Sequence, residues 1–190
     1  MTDLLGVASL LDDFHDAEVR RLWQALRAHC GWTGPNPEEV PHFTWHVAES
    51  YDHERLADAL QEFCSHLAPF KVLTAGLGIF TAEKLVVYLP LVKDPVLMRI
   101  HQTLWDILGK LGQGISPYYS PERWMPHITL VYDNVGEGSL GCLVQQLARE
   151  PLSWVIPVDN LVMFGHAASD QIRPLVRFPL TGTEQPYAGN

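Results

Sequence analysis

Basic residues are scarce in this chain: 13 Lys and Arg stand against 22 Asp and Glu in 190 residues, a formal net charge of −9 with His neutral. That balance argues against a protein that grips long DNA or RNA mainly through phosphates, because such binding uses Lys and Arg to displace counterions. It leaves room for a small anionic ligand in a local pocket. Cysteine is scarcer still. Cys30, Cys64 and Cys142 are odd in number and far apart, with no CxxC, so neither a disulfide framework nor a structural zinc is expected. Each reads as a small buried hydrophobe. Long apolar runs are missing as well. The N-terminal "MTDLLGVASLLDDFHDAEVRR" carries Asp3 early, no basic n-region, and an apolar stretch too short and interrupted to span a bilayer. The expectation is a soluble, cytoplasmic protein with no membrane partner. At 47% hydrophobic and 18% charged, the chain has an ordinary globular composition and is long enough to bury a sizeable core.

Hydrophobic periodicity supplies the elements. Residues 4–12 read as a strand, and 14–31 as an amphipathic helix with Val19, Trp23, Leu26 and Cys30 at helical spacing and Gly31 as a stop. A Pro/Gly/Asn loop over 31–41 precedes "HFTWHVAE" (42–49), whose aromatic and β-branched residues predict a strand. A helix over 53–66 and strands over 70–80 and 84–92 follow. The second half repeats the theme: a helix over 94–110, a loop over 112–126, the strand "HITLVYD" (127–133), a helix over 138–149, and strands over 152–164 and 172–180.

The halves repeat in detail. "PHFTW" (41–45) returns as "PHITL" (126–130), and His42 to Phe80 spans 38 residues where His127 to Phe164 spans 37 (80 − 42 and 164 − 127). The period is far longer than a solenoid unit. It predicts an α+β fold of one domain over 1–190: two pseudo-symmetric lobes of antiparallel sheet, from repeats of about 4–92 and 84–180, with outer helices around a central cleft.

In a strand, side chains at i and i+2 share a face, about 6.6 Å apart. His42 and Thr44 then face one way, with Phe43 and Trp45 behind; His127 and Thr129 do the same, with Ile128 and Leu130 behind. Two imidazoles and two hydroxyls around one small volume suit phosphodiester chemistry. One imidazole can take a proton and the other give one, while hydroxyls donate to phosphoryl oxygens.

These motifs, their spacing and the internal repeat resemble the 2H phosphoesterases, which include bacterial RNA 2′,3′-cyclic phosphodiesterases, historically called 2′-5′ RNA ligases. The resemblance covers nearly the whole chain. It implies a bilobal fold, His42 and His127 as acid and base, Thr44 and Thr129 as phosphate-binding hydroxyls, and neither metal nor other cofactor. The implied activity is opening of 2′,3′-cyclic phosphates on nucleotides or RNA ends, with 2′-5′ ligation as a further activity; the chain is expected to be a monomer. An Arg commonly follows the second motif in the ligase-like branch; here the chain continues "VYDN".

Other readings remain beside this one. The two His could be satisfied core residues, or the cleft could serve a nucleotide-binding or sensing module without catalysis. His42 and His46 are spaced HxxxH, but on a strand they lie about 13 Å apart, too far for one ion. His46 is expected on the same inward face as His42 and Thr44, as cleft wall or core. His15, His29, His53, His66 and His101 read as surface or packing residues, and His166 as either. In "SPYYSPERW" (116–124), Tyr118, Tyr119 and Trp124 could stack bases with Arg123 on a phosphate, or the loop could simply pack on its lobe. Gly76-Leu77-Gly78 reads as a strand bend, since no Lys-Ser/Thr helix follows.

Overall fold

The computed structural model describes residues 4–34, 39–81, 85–132, 139–166 and 172–183. In chain order the elements are β1 (Leu4–Leu10), α1 (Asp13–Cys30), β2 (His42–Tyr51), α2 (His53–His66), β3 (Phe70–Leu73), β4 (Gly78–Phe80), β5 (Val86–Pro90), α3 (Pro95–Leu108), β6 (Gly112–Ile115), β7 (His127–Tyr132), α4 (Ser139–Leu147), β8 (Val155–Val158), β9 (Asn160–His166) and β10 (Ile172–Pro179). The fold is α+β. Three helices begin behind an Asp whose carboxylate accepts backbone N–H groups: Asp12 for α1, Asp52 for α2 and Asp94, followed by Pro95, for α3. Gly31 ends α1 with φ 64°, a left-handed stop that glycine adopts without strain.

The main sheet runs β10-β9-β1-β2-β7-β5-β4, with β6 added along β2, and β3 pairs separately with β8. Every named pairing is antiparallel. The repeat is visible in the register. Phe43 lies opposite Ile128, its own counterpart, where β2 meets β7. Val72 likewise lies opposite Ile156, its counterpart, where β3 meets β8. A pseudo-two-fold axis therefore passes through both contacts. The outer strands cross over: β9, from the second half, pairs with β1, and β4, from the first, pairs with β5.

Two predicted strands divide. Residues 70–80 become β3 and β4, and 152–164 become β8 and β9; in each case the first piece joins the small sheet and the second an outer position of the large one. The first break follows Thr74, whose hydroxyl donates to Leu152 O and accepts from Trp154 N, and contains Gly76 at φ 70°. A continuous apolar pattern cannot report such a break, since both pieces are half-buried strands. The predicted loop 112–126 also holds β6 and a short 3₁₀ turn over Pro117–Tyr119.

The helices pack on one face of the sheet. α3 lies against β2, α2 against β9 and β10, and α1 against β7 and α4. Phe43, Trp45, Ile128 and Leu130 are buried on that face. Trp45 stands in an aromatic group with Phe70, His101 and Trp124. Its indole N–H donates to Ser9 Oγ, which donates in turn to Asn160 O, so the indole and the Ser9 hydroxyl are both paired.

The cysteine expectation is corrected. Cys30 and Cys142 form a disulfide with Cα atoms 5.8 Å apart, while Cys64 is a buried free thiol, as expected. The bridge joins the last residue of α1 to the first turn of α4. Their approach arises from helix packing across 112 residues of sequence, which spacing does not encode. Disulfides are rare in reducing cytosol. No helix among the described residues is long and apolar enough to cross a membrane.

Candidate active site

The His-x-Thr strands lie side by side at the centre of the sheet, and a cleft of about 370 Å³ opens on the face opposite the helices. His42, Thr44, His127 and Thr129 all line it, with Gly6, Ala8, Glu39, Val47, Tyr119, Tyr132 and Phe164. The alternation expected from a strand holds over the motifs themselves: in both, His and Thr are half-buried toward the cleft and the apolar residues between are fully buried behind.

Each imidazole is held by the same local device. His42 Nδ1 lies 2.8 Å from Val40 O and His127 Nδ1 lies 2.7 Å from Met125 O, two residues back in each case. A carbonyl oxygen only accepts, so Nδ1 carries the proton in the neutral ring and Nε2 is left as the nitrogen able to accept or donate toward a ligand. A phenylalanine then flanks each ring. Phe164 packs on His42 at 4.6 Å between ring centroids, and Phe80 meets His127 edge-on at 5.1 Å. These are the two Phe residues that mark the repeat, each delivered to the other half's histidine by the crossed outer strands. Tyr88 adds a second ring against His127 at 5.0 Å.

Burial lowers the basicity of both imidazoles below the ordinary value, because a charged ring loses hydration there. For His42 the neighbouring His127 lowers it further, and the Val40 carbonyl works against the shift. For His127 the Met125 carbonyl opposes burial in the same way. The effect of His127 on His42 places the two rings close enough for one to sense the other's charge. Among the described residues no three His, Cys, Asp or Glu side chains are grouped to hold a metal ion.

Past the threonines the strands depart from simple alternation. Ala8 pairs with Thr44 and Val7 with His46, which leaves Trp45 opposite no partner; Tyr88 pairs with Thr129 and Val87 with Val131, which leaves Leu130 so. A bulge therefore sits at the same place in both halves, and two successive residues of each strand are buried. This corrects the placement of His46. It turns to the helix face, 1% exposed, where it contacts Trp105 and its Nδ1 bonds the Tyr51 hydroxyl. Val47 takes the cleft position instead, as Tyr132 does in the other half.

The loop before the second motif divides in its roles. Tyr119 reaches the cleft, and its phenol shares a hydrogen bond with the Thr44 side chain. Arg123 is exposed and stands over the Tyr118 ring at 4.8 Å, away from the cleft lining. Trp124 lies in the core, 1% exposed, stacked on His101 at 3.7 Å, with its N–H donating to Thr44 O. It supports the strand that carries Thr44 from behind. Of the surface and packing alternatives expected for His101, its complete burial selects packing. His166 ends β9, and its side chain lies outside the described residues.

The family model of the 2′-5′ RNA ligase superfamily matches residues 14–170. The chain belongs to that superfamily, the 2H phosphoesterases. The fold agrees with several solved structures. TT0787 of Thermus thermophilus superposes with a TM-score of 0.66 at 18% identity, over 95% of this chain and 100% of that one. E. coli LigT complexed with 3′-AMP gives 0.61 at 20% identity, over 95% and 99%. LigT complexed with ATP gives 0.60 at 21%, over the same shares. No curated protein matches the chain.

Several lining residues of this 2H phosphoesterase were not singled out from sequence. Glu39 precedes the first motif in a loop with no pattern, and Phe164 arrives on a strand of the other half. Tyr132 could have been found, since it follows the second motif by a fixed count, but only the bulge turns it to the cleft.

Proposed function

We propose that the protein is a metal-independent phosphodiesterase that opens 2′,3′-cyclic phosphates of nucleotides or RNA ends, with water as nucleophile in hydrolysis and a 5′-hydroxyl in its place in 2′-5′ ligation. One observation carries this reading: two imidazoles line one cleft, each with Nδ1 committed to a backbone carbonyl and Nε2 left for chemistry, each beside a threonine hydroxyl. A pure binding site has no use for two groups of that kind. In hydrolysis one neutral imidazole takes a proton from water as its oxygen attacks phosphorus. The bond from phosphorus to one ribose oxygen breaks, and the other imidazole, protonated, delivers a proton to that oxygen. Atoms and charge balance: one water is consumed, and the two histidines exchange states. Thr44 and Thr129 donate to the non-bridging oxygens, where charge develops in the transition state. Which histidine is base depends on which way the substrate lies across the pseudo-symmetric cleft.

The supporting likeness is coarser than the proposal. LigT has been crystallised with 3′-AMP and with ATP, which favours nucleotides as ligands for this cleft too. The test is a panel of nucleoside 2′,3′-cyclic phosphates and 2′-5′ dinucleotides, assayed with EDTA and no added metal. Turnover of a cyclic phosphate that vanishes in both His→Ala variants is expected. Tight nucleotide binding without turnover across the panel would replace the enzyme by a sensing module.

A further inference from the structure

The cleft has an unusual charge for a phosphate site. Among the described residues its lining includes one carboxylate, Glu39, and no Lys or Arg. Glu39 lies three residues before His42, half-buried, and burial holds its carboxyl above the ordinary range. No basic side chain among the described residues pairs with it. Counting back from the second histidine, its counterpart is Trp124, which is buried in the core. The acid thus belongs to one half only. Positive charge for an anion comes from the imidazoles, and burial biases both toward neutrality.

Ring opening changes the charge that this lining must hold. A cyclic phosphodiester carries one negative charge, whereas a phosphomonoester carries about −1.5 to −2 near pH 7. Resting on the reading above, we propose that Glu39 determines specificity by charge: its carboxylate disfavours dianionic phosphomonoesters, so the cleft prefers singly charged phosphodiesters and releases its product readily. A second unit of ligand charge at about 10 Å, in an effective dielectric of about 20, changes affinity roughly tenfold when the carboxylate is present. The other titratable groups around the cleft are His42, His127, Tyr119 and Tyr132. Their contributions are common to all variants at Glu39.

The probes are a 2′-deoxynucleoside 3′-monophosphate and its methyl ester, which differ by one charge and have no 2′-hydroxyl to cyclise. Calorimetry at about pH 8, where the monoester is dianionic, gives the ratio of their dissociation constants. The parent is expected to favour the methyl ester. Glu39→Gln should move the ratio about tenfold toward the monoester, and Glu39→Asp, which keeps the charge, should retain the parent ratio. A ratio is insensitive to the fraction of active protein. An unmoved ratio in Glu39→Gln, an equal shift in Glu39→Asp, or a parent that binds neither probe overturns the proposal. A parent that turns over no cyclic phosphate yet shows the shift sinks the hydrolase reading and leaves the charge filter standing.

Discussion

In both motif strands the residue after the threonine faces no partner, Trp45 in β2 and Leu130 in β7, and both histidines hold a carbonyl two residues back. The duplicated parts are therefore the ones that aim two imidazoles and two hydroxyls at one volume. Around them the halves diverge. Ala8 pairs with Thr44 where Tyr88 pairs with Thr129, and Val47 lines the cleft where Tyr132 does so opposite. Glu39 stands where the other half has Trp124, and His46 where it has Val131. The lesson is a division of labour: symmetry supplies two equivalent imidazole–hydroxyl pairs, which the proposed mechanism uses as interchangeable acid and base, and asymmetry in the walls would give its substrate a direction.

The strongest way to break this comparison is to remove each imidazole in turn. His42→Ala and His127→Ala should each lower kcat by about 10²–10⁴-fold, the usual range for a proton-transfer group. The double variant should lose far less than the product of the two, because the pair acts as a unit. A single variant that keeps near-parental turnover on every substrate would mean that the halves are not equivalent partners. In the parent, rate against pH should be bell-shaped and report the coupled pair. Since burial lowers both imidazoles, the protonated acid is lost at lower pH than for a free histidine. The alkaline limb of kcat/KM should therefore lie below the ordinary imidazole value, and that of kcat higher, because a bound anion favours the charged ring.

The core side of β2 offers a test of the difference at His46. Burial holds His46 down to about 4, and the same is true of His101. An unfolded histidine titrates near 6.5, so between about pH 6.5 and 4 the unfolded chain binds more protons than the folded one. The folded state is then fully stable above that window and loses stability as pH falls through it, by about 3 kcal/mol for each such group. Denaturant titration across the window should show this slope. The double variant His46→Val, Tyr51→Phe, which copies the Val131 arrangement and removes the partner hydroxyl, should remove the share of His46 and leave that of His101. An unchanged slope would locate the acid sensitivity elsewhere.

A smaller effect separates the two threonines. Losing one neutral hydrogen bond is worth about 0.5–1.5 kcal/mol, so Thr44→Val and Thr129→Val should cost up to about tenfold in kcat, less than either imidazole. Because Thr44 shares its bond with Tyr119, a cycle of Thr44→Val with Tyr119→Phe should be non-additive, while Thr129→Val with Tyr119→Phe should add. Coupling of equal size in both cycles would remove this asymmetry. The smallest expected effect is none at all: EDTA should leave turnover unchanged, and loss with rescue by a divalent ion would call for a different mechanism.

How much of this was legible beforehand follows from the range of the interactions. Strand alternation is local, so His42, Thr44, His127 and Thr129 could be assigned to one face each, and Phe43, Trp45, Ile128 and Leu130 to the other, from the motifs alone. Helix starts at Asp12, Asp52 and Asp94 are equally local. His46 was misplaced because a bulge depends on which residue of β1 stands opposite, and one unpaired residue turns every later side chain over. Trp124 sits in a loop whose aromatics suit a base platform or a core equally well, and only packing on His101 decided between them.

By itself the sequence determined the α+β class, the repeat and the two histidine–threonine pairs, since periodicity and spacing are properties of neighbouring residues. Tertiary structure alone decided that β4 and β9 cross to the opposite halves, bringing Phe80 to His127 and Phe164 to His42. It also decided that Cys30 meets Cys142 and that Glu39 reaches the cleft. Those are contacts between residues far apart in the chain, or between a loop and a site built elsewhere, and they exist only once the sheet has chosen its strand order.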